Sequence, residues 1–388
     1  MCDLKKNHIF EKKTMSLPIE ILRLIYDSLD TNKEFISFLS VSRDYHELKS
    51  KFCYNKGFFE YNTIYRESVP YFDNIICKTT FYDFTIKKTL PKNIQHLSLK
   101  FCYDEVQDIV LPSTILYLRV ENMYAGQVIT KEFLPRNLKE IVLNYNNELL
   151  PGVLPDTLEK IVLGDIFNKP IQHGVIPKNV KEFTFGRGYS WGIEPGILPS
   201  SLRKLTFRNR IKNPLLLGVI PENVKELNMS CAKGRVDILS KGIIIPPSVR
   251  ILHLTTSIYF MHKEHSIPNT VKELYLCGIW NSIPLGLVPD SVRVLSFGNM
   301  YNTKIKKGSI PFGVETLIFG ERFDQILKPG IIPSSVKKIV FGILYQREFK
   351  KGYIPEGVEE IYFNGKYISR LSRSNLPSTL KNVPPHIH

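Results

Sequence analysis

The sequence predicts a repeat solenoid with one parallel β-strand per turn of 22 residues on average, preceded by a small α-helical module. Three observations carry the prediction. A proline follows an apolar residue at Pro91, Pro112, Pro135, Pro155, Pro177, Pro199, Pro221, Pro246, Pro268, Pro289, Pro311, Pro333, Pro355 and Pro377, thirteen steps with a mean of 22 residues. Apolar residues recur six and eight positions after each proline, alternating as a strand with one buried face must. Glycine recurs three positions before it, at Gly152, Gly174, Gly196, Gly218, Gly286, Gly308, Gly330 and Gly352, where a turn requiring positive φ is expected.

Composition bounds the rest. Hydrophobic residues at 43% and charged residues at 23% are ordinary for a folded chain and argue against disorder. A formal charge of +15 allows an acidic protein, a nucleic acid or an anionic membrane surface as partner, and selects none of them. The six cysteines, Cys2, Cys53, Cys77, Cys102, Cys231 and Cys277, form no CxxC pair, which speaks against a disulfide framework or a zinc site and suits a reducing compartment. Residues 1–14 hold four lysines and no apolar core of a signal peptide, and no later run approaches 18 apolar residues. A cytosolic or nuclear protein with no membrane span and no cofactor is expected.

After the polar tail of residues 1–14, residues 15–50 read as a helical module. Pro18 near the first helical position, Glu20 in the first turn and Ile21, Ile25 and Leu29 four apart describe an amphipathic helix. Thr31 with Glu34 is a capping box for a second helix carrying Phe35, Phe38 and Leu39, and residues 41–48 suit a third. These helices also fit a simple cap over the solenoid's open end. Leu17-Pro18, Glu20-Ile21, Leu29 and Leu39-Ser40-Val41-Ser42-Arg43 resemble the F-box family, with Tyr45 where that family commonly has Trp. Residues 51–85 lack the proline phrase and are rich in aromatics, among them Phe58, Phe59, Tyr61 and Tyr65. Such a stretch suits a junction or N-terminal cap that buries the end of the solenoid, or a platform for stacked bases.

From residue 86 to 388 the repeat governs. Buried markers are expected one before the proline, at plus three (Val180, Val224, Val314), at plus twelve (Phe167, Tyr189, Tyr301, Phe323, Tyr345, Tyr367) and at plus sixteen (Ile171, Leu215, Ile305, Phe349). Proline lacks a donor, so it should stand at the corner before the strand. Phe167-Asn168 and Tyr301-Asn302, followed by Gly174 to Pro177 and Gly308 to Pro311, resemble the FNIP repeat, itself similar to leucine-rich repeats.

The charged and histidine positions suit a solvated surface better than a catalytic centre. The plus-five row carries Glu140, Glu182, Glu226, Glu273 and Glu360, but also Lys160, Lys204 and Lys338, as a solvated charged row does. Glu226 and Glu273 fall two repeats apart, about 10 Å at strand spacing. His262 and His265 lack an evident third ligand, so no metal site is expected. Nine of fourteen plus-four positions are cationic, from Lys139 through Arg203, Lys225, Arg250 and Lys272 to Lys381, which could track a phosphate backbone; the glutamates that follow four of them offer side-by-side neutralisation.

The F-box resemblance implies a non-enzymatic recognition subunit that docks, through Leu17, Pro18, Ile21, Ile25, Leu29, Leu39 and Val41, on the Skp-type adaptor of a Skp–cullin–F-box ubiquitin ligase. The repeats would then select the protein to be ubiquitinated. If the repeats share leucine-rich-repeat geometry, plus five, seven and nine face outward. Arg208, Asn228, His253 and Tyr275 are the expected target contacts, since Tyr and Arg dominate binding hot spots. F-box plus FNIP architectures are characteristic of giant DNA viruses and amoebal genomes, so the resemblance implies a host protein as target and, for a viral chain, the host cytoplasm. A scaffolding solenoid without a ligase role and a nucleic-acid binder are the alternatives.

Overall fold

The computed structural model describes residues 76–81, 95–101, 111–121, 128–208, 215, 217–229, 244–254, 267–277, 283–367 and 372–382. The module read at residues 15–50, including Leu17, Pro18, Ile21, Ile25, Leu29, Leu39 and Val41, lies outside them, as do His262 and His265.

Among the described residues fourteen strands form a single parallel sheet in chain order: β1 (Ile76–Phe81), β2 (His96–Phe101), β3 (Tyr117–Glu121), β4 (Glu140–Asn144), β5 (Lys160–Leu163), β6 (Glu182–Phe185), β7 (Lys204–Phe207), β8 (Glu226–Met229), β9 (Ile251–Leu254), β10 (Glu273–Leu276), β11 (Val294–Phe297), β12 (Thr316–Ile318), β13 (Lys338–Phe341) and β14 (Glu360–Phe363). The thirteen steps give a stack about 60 Å long at ~4.8 Å per strand. Each strand from β2 to β14 follows one proline phrase, and β1 adds a strand upstream of the first, paired Cys77 to Leu97 and Thr79 to Leu99.

Alternation decides which side is core. The plus-six and plus-eight residues, such as Phe183 and Phe185, Leu205 and Phe207, Leu274 and Leu276, are buried, as are the plus-three residues and those before each proline. At each described corner the plus-three N–H donates to the proline carbonyl, as Val180 does to Pro177 and Val336 to Pro333. The glycine expectation holds in all eight copies, with φ between 75° and 85°. In Gln172–Val175 the Val175 N–H closes on the Gln172 carbonyl with Gly174 third in the turn, the place where a type II turn demands positive φ.

From β12 to β14 aromatic side chains fill the width of the turns. Phe319, Phe341 and Phe363 stack at 5.2 and 5.3 Å between ring centres, and Phe323, Tyr345 and Tyr367 form a parallel column at 6.0 and 6.5 Å. Two polar ladders tie successive repeats. The plus-two hydroxyls of Ser201, Ser248, Ser291 and Ser335 donate to carbonyls of Val180, Val224, Val271 and Val314 in the preceding repeat. On the return side, Asn168 Oδ1 accepts from the Ser190 N–H, and Asn302 Oδ1 from that of Asp324. This explains the Asn after the plus-twelve aromatic: its carboxamide satisfies a backbone donor one turn later.

The last described stretch packs against β14. After the 3-10 turn Arg373–Asn375 and the Pro377 corner, Asn382 Oδ1 accepts from the Ile361 N–H and its Nδ2 donates to the Ile361 carbonyl, both at 2.8 Å. One carboxamide thus takes the position of a neighbouring strand's peptide group.

Candidate functional site

Side chains between the two buried positions of each strand face away from the core. The register places Ser98, Arg119, Val142, Val162, Thr184, Thr206, Asn228, His253, Tyr275, Ser296, Ile318, Val340 and Tyr362 in one continuous row. The scaffold beneath is nearly uniform, whereas this row changes character along its length. It is polar at Ser98 and Arg119, aliphatic at Val142 and Val162 and at Ile318 and Val340, polar and aromatic from Thr184 to Ser296, and aromatic again at Tyr362.

Three of the four expected target contacts come together here. Asn228, His253 and Tyr275 occupy the same row on β8, β9 and β10. The His253 and Tyr275 rings stack 4.2 Å apart at 6°. Tyr275 Oη donates to Glu273 Oε2 at 2.9 Å on its own strand. Burial lowers the His253 imidazole pKa, a shift partly opposed by Glu226 and Glu273 and reinforced by Lys204. Burial also pushes the Tyr275 phenol up to about 12, aided by its bond to Glu273.

Arg208 does not join them. It is exposed one position past β7, its N–H donating to the Phe185 carbonyl at 2.9 Å. Plus nine, expected to face outward, is a backbone-packing position in much of the array. Gly186 and Gly342 stand there, and a Cβ on either would meet the carbonyl oxygen of the glycine one repeat earlier at 2.0 Å.

The charged rows are organised across strands. Side-by-side pairing between plus four and plus five had been expected; instead the ion pairs join equivalent positions of adjacent repeats. Lys160 meets Glu140 at 3.0 Å, Lys204 meets Glu226 at 2.8 Å and Lys338 meets Glu360 at 3.5 Å in the plus-five row. Successive residues diverge from an extended backbone, while cross-strand neighbours lie within about 5 Å at Cβ. In the plus-four row Glu159 lies between Lys139 at 3.0 Å and Lys181 at 2.7 Å, whose hydrogen bonds hold its carboxyl below the usual range. Glu315 engages Arg293, and Glu359 engages Lys381. Sequence reasoning found the cations but not which of them are paired; the acids at plus four, Glu159, Glu315 and Glu359, were the available signal.

Glu226 and Glu273 are separated by Ile251, one full strand between them. Among the described residues no group of three or more His, Cys, Asp or Glu side chains could hold a metal ion, and no helix is long and apolar enough to cross a membrane. The face offers hydrogen-bonding groups, an aromatic pair and ordered charges, which is the chemistry of recognition.

Comparison with solved structures assigns the class, a leucine-rich-repeat-like parallel β-solenoid. The chain is similar to CroV588, described as a novel circular leucine-rich-repeat protein, at 25% identity and a TM-score of 0.62, over 84% of this chain and 48% of that one. It therefore spans about half the length of that relative. It also resembles the protein in the TLR13–ssRNA13 complex at 13% identity and a TM-score of 0.50, covering 82% of this chain and 58% of that one. A comparison with curated proteins found no match. The FNIP repeat model matches seven overlapping segments, residues 127–166, 145–188, 167–209, 189–232, 281–322, 301–343 and 345–383, more than half of the chain. The chain belongs to the FNIP repeat family. Solenoids of this kind are typically non-enzymatic binding scaffolds.

Proposed function

We propose that the chain is the substrate-recognition adaptor of a Skp–cullin–F-box type ubiquitin ligase, selecting a target protein through the outward row of its sheet. The observation that carries the binding half is the Thr206–Asn228–His253–Tyr275–Ser296 segment. It is a varied polar and aromatic stretch held in fixed register on an otherwise repetitive scaffold. Side chains fixed by packing and stacking lose little conformational freedom on binding, which favours affinity. The adaptor half rests on the sequence at Leu17, Pro18, Ile21, Ile25, Leu29, Leu39 and Val41, an apolar helical pattern suited to docking in a partner's groove. The reading places the protein in the cytosol or nucleus, where that ligase machinery acts.

The two halves are tested separately. Purified wild-type chain should retain a Skp-type adaptor in a pulldown, and the Leu17→Ala/Pro18→Ala variant should lose it. If folded wild type recovers no adaptor, the ligase role fails and a protein-binding scaffold remains. Crosslinking in host extract should yield a protein captured by wild type and lost with Asn228→Ala/His253→Ala/Tyr275→Ala. Equal capture by both would move the target site off this row.

A further inference from the structure

The plus-four row is charged in a pattern that isolates its centre. Along the chain it reads Lys139, Glu159, Lys181, Arg203, Lys225, Arg250, Lys272, Arg293, Glu315, Lys337, Glu359 and Lys381. Each glutamate in the row is engaged by a neighbouring cation, Glu159 by Lys139 and Lys181, Glu315 by Arg293, and Glu359 by Lys381. Between the outer pairs stand Arg203, Lys225, Arg250 and Lys272 on four successive repeats, with no carboxylate partner among the described residues. Arg203 and Arg250 are held alike: Nη1 of each donates to two carbonyls of its own corner, Ser200 and Leu202 for the first, Pro247 and Val249 for the second. A guanidinium has five N–H donors, so the remaining ones stay available on a group whose position is already set.

These cations precede β7 to β10, the same strands that carry Thr206, Asn228, His253 and Tyr275. Two independent features, the polar and aromatic stretch of the outward row and the run of four cations without a carboxylate partner, therefore coincide. We propose that the target docks an acidic polypeptide segment along Arg203, Lys225, Arg250 and Lys272 while its adjoining residues meet the Asn228–His253–Tyr275 row. This rests on the outward row being the target-binding surface. The four cations span three strand steps, about 14 Å at ~4.8 Å each, the length of four to five extended residues at ~3.3 Å. Long Lys and Arg stems adjust their heads to a ligand of slightly different repeat.

The neighbouring row favours a protein over a nucleic acid. Glu226 and Glu273 lie at plus five beside the stripe, and Glu273 has no cation paired with it among the described residues. A backbone with a charge on every phosphate would face both carboxylates, whereas a polypeptide can set its acidic residues on the cations and other side chains elsewhere. Opposed potentials of this kind exclude wrong partners as well as attract right ones.

The test uses the full chain and three fluorescent probes, a glutamate-rich peptide, a neutral peptide of equal length and a single-stranded DNA of equal charge. Binding of the glutamate-rich peptide at about 0.1 M salt should weaken by about tenfold in Arg203→Gln/Lys225→Gln/Arg250→Gln/Lys272→Gln. An equal loss of charge elsewhere, in Lys178→Gln/Lys306→Gln/Lys307→Gln/Lys328→Gln, should change it less than about twofold, since exposed charges beyond a Debye length of ~10 Å are screened. Both variants carry their changes on exposed or half-exposed side chains, and unchanged circular dichroism and melting would confirm that they fold. Equal losses in the two variants, or no preference for the acidic over the neutral peptide, would overturn the inference. Tighter binding of DNA, lost in the same stripe variant, would overturn it in favour of a nucleic acid. If a crosslinked target still depends on Asn228, His253 and Tyr275 but ignores the stripe, the binding face stands and this inference alone fails.

Discussion

Phe341→Ala tests whether the array is held together one neighbour at a time. Phe341 is fully buried and stacks against Phe319 at 5.2 Å, Phe363 at 5.3 Å and Tyr345 at 4.1 Å, with Phe349 tilted beside it at 5.5 Å. Removing a buried phenylalanine costs about 3–5 kcal/mol, and rings on several sides leave little room for collapse, so ~4 kcal/mol is expected. That corresponds to roughly a thousandfold in a local opening constant. Repeats contact only their neighbours, so the loss should fall on β12 to β14 and leave β4 to β6 protected. Native-state hydrogen exchange resolves the two regions in one experiment. A change in β13 and β14 smaller than about tenfold would show that the ring column is not what binds these repeats. An equal loss at β4 to β6 would show that the whole solenoid opens as one unit.

Three further outcomes are expected. Gly174→Ala adds a Cβ with only Pro151 Cβ near it at 3.5 Å, so its loss reflects the backbone at φ 79° and should be about 1–2 kcal/mol; Gly186→Ala, whose Cβ meets the Gly164 oxygen at 2.0 Å, should lose more in the same urea titration. Asn382→Ala strips two hydrogen bonds from Ile361, roughly 1–3 kcal/mol at ~0.5–1.5 each, and should speed exchange of the Ile361 amide without affecting β4. Because burial depresses the His253 pKa in the folded chain, the unfolded chain takes up its proton first. The contribution of His253 is therefore complete above its unfolded pKa of ~6.5 and declines as pH falls through that value toward the folded one. NMR titration of His253 should show the low value, and Tyr275→Ala, which uncovers the ring, should raise it; an ordinary value in wild type would contradict the burial.

What the sequence made legible was whatever recurs at a fixed offset. The proline corners, the positive-φ glycines and the buried rows follow from local sterics repeated in every copy, so Gly174 and Phe183 could be placed from their own neighbourhood. β1 escaped because the Val69-Pro70 pair before Ile76–Phe81 is out of step by one residue: Cys77 and Thr79, which pair with Leu97 and Leu99, stand seven and nine after it rather than six and eight. The ion pairs escaped for a related reason: Glu159 and Lys181 are 22 residues apart, and the residue next in sequence points elsewhere. Arg208 was assigned by counting outward positions past the strand end, where β7 has already finished at Phe207. Asn228, His253 and Tyr275 fall in one row because their copies share one offset.

The plus-two hydroxyls have a direction. Ser201, Ser248, Ser291 and Ser335 each donate to a carbonyl belonging to the repeat before them, and the corner amides do the same, as Lys181 N–H does to Glu159 and Lys337 N–H to Glu315. At these corners the acceptors belong to the earlier turn and the donors to the later one. A chain leaving the ribosome exposes its N-terminal turns first. Each newly emerged turn then finds its acceptors already displayed on a finished template, and assembly can keep pace with synthesis in one direction.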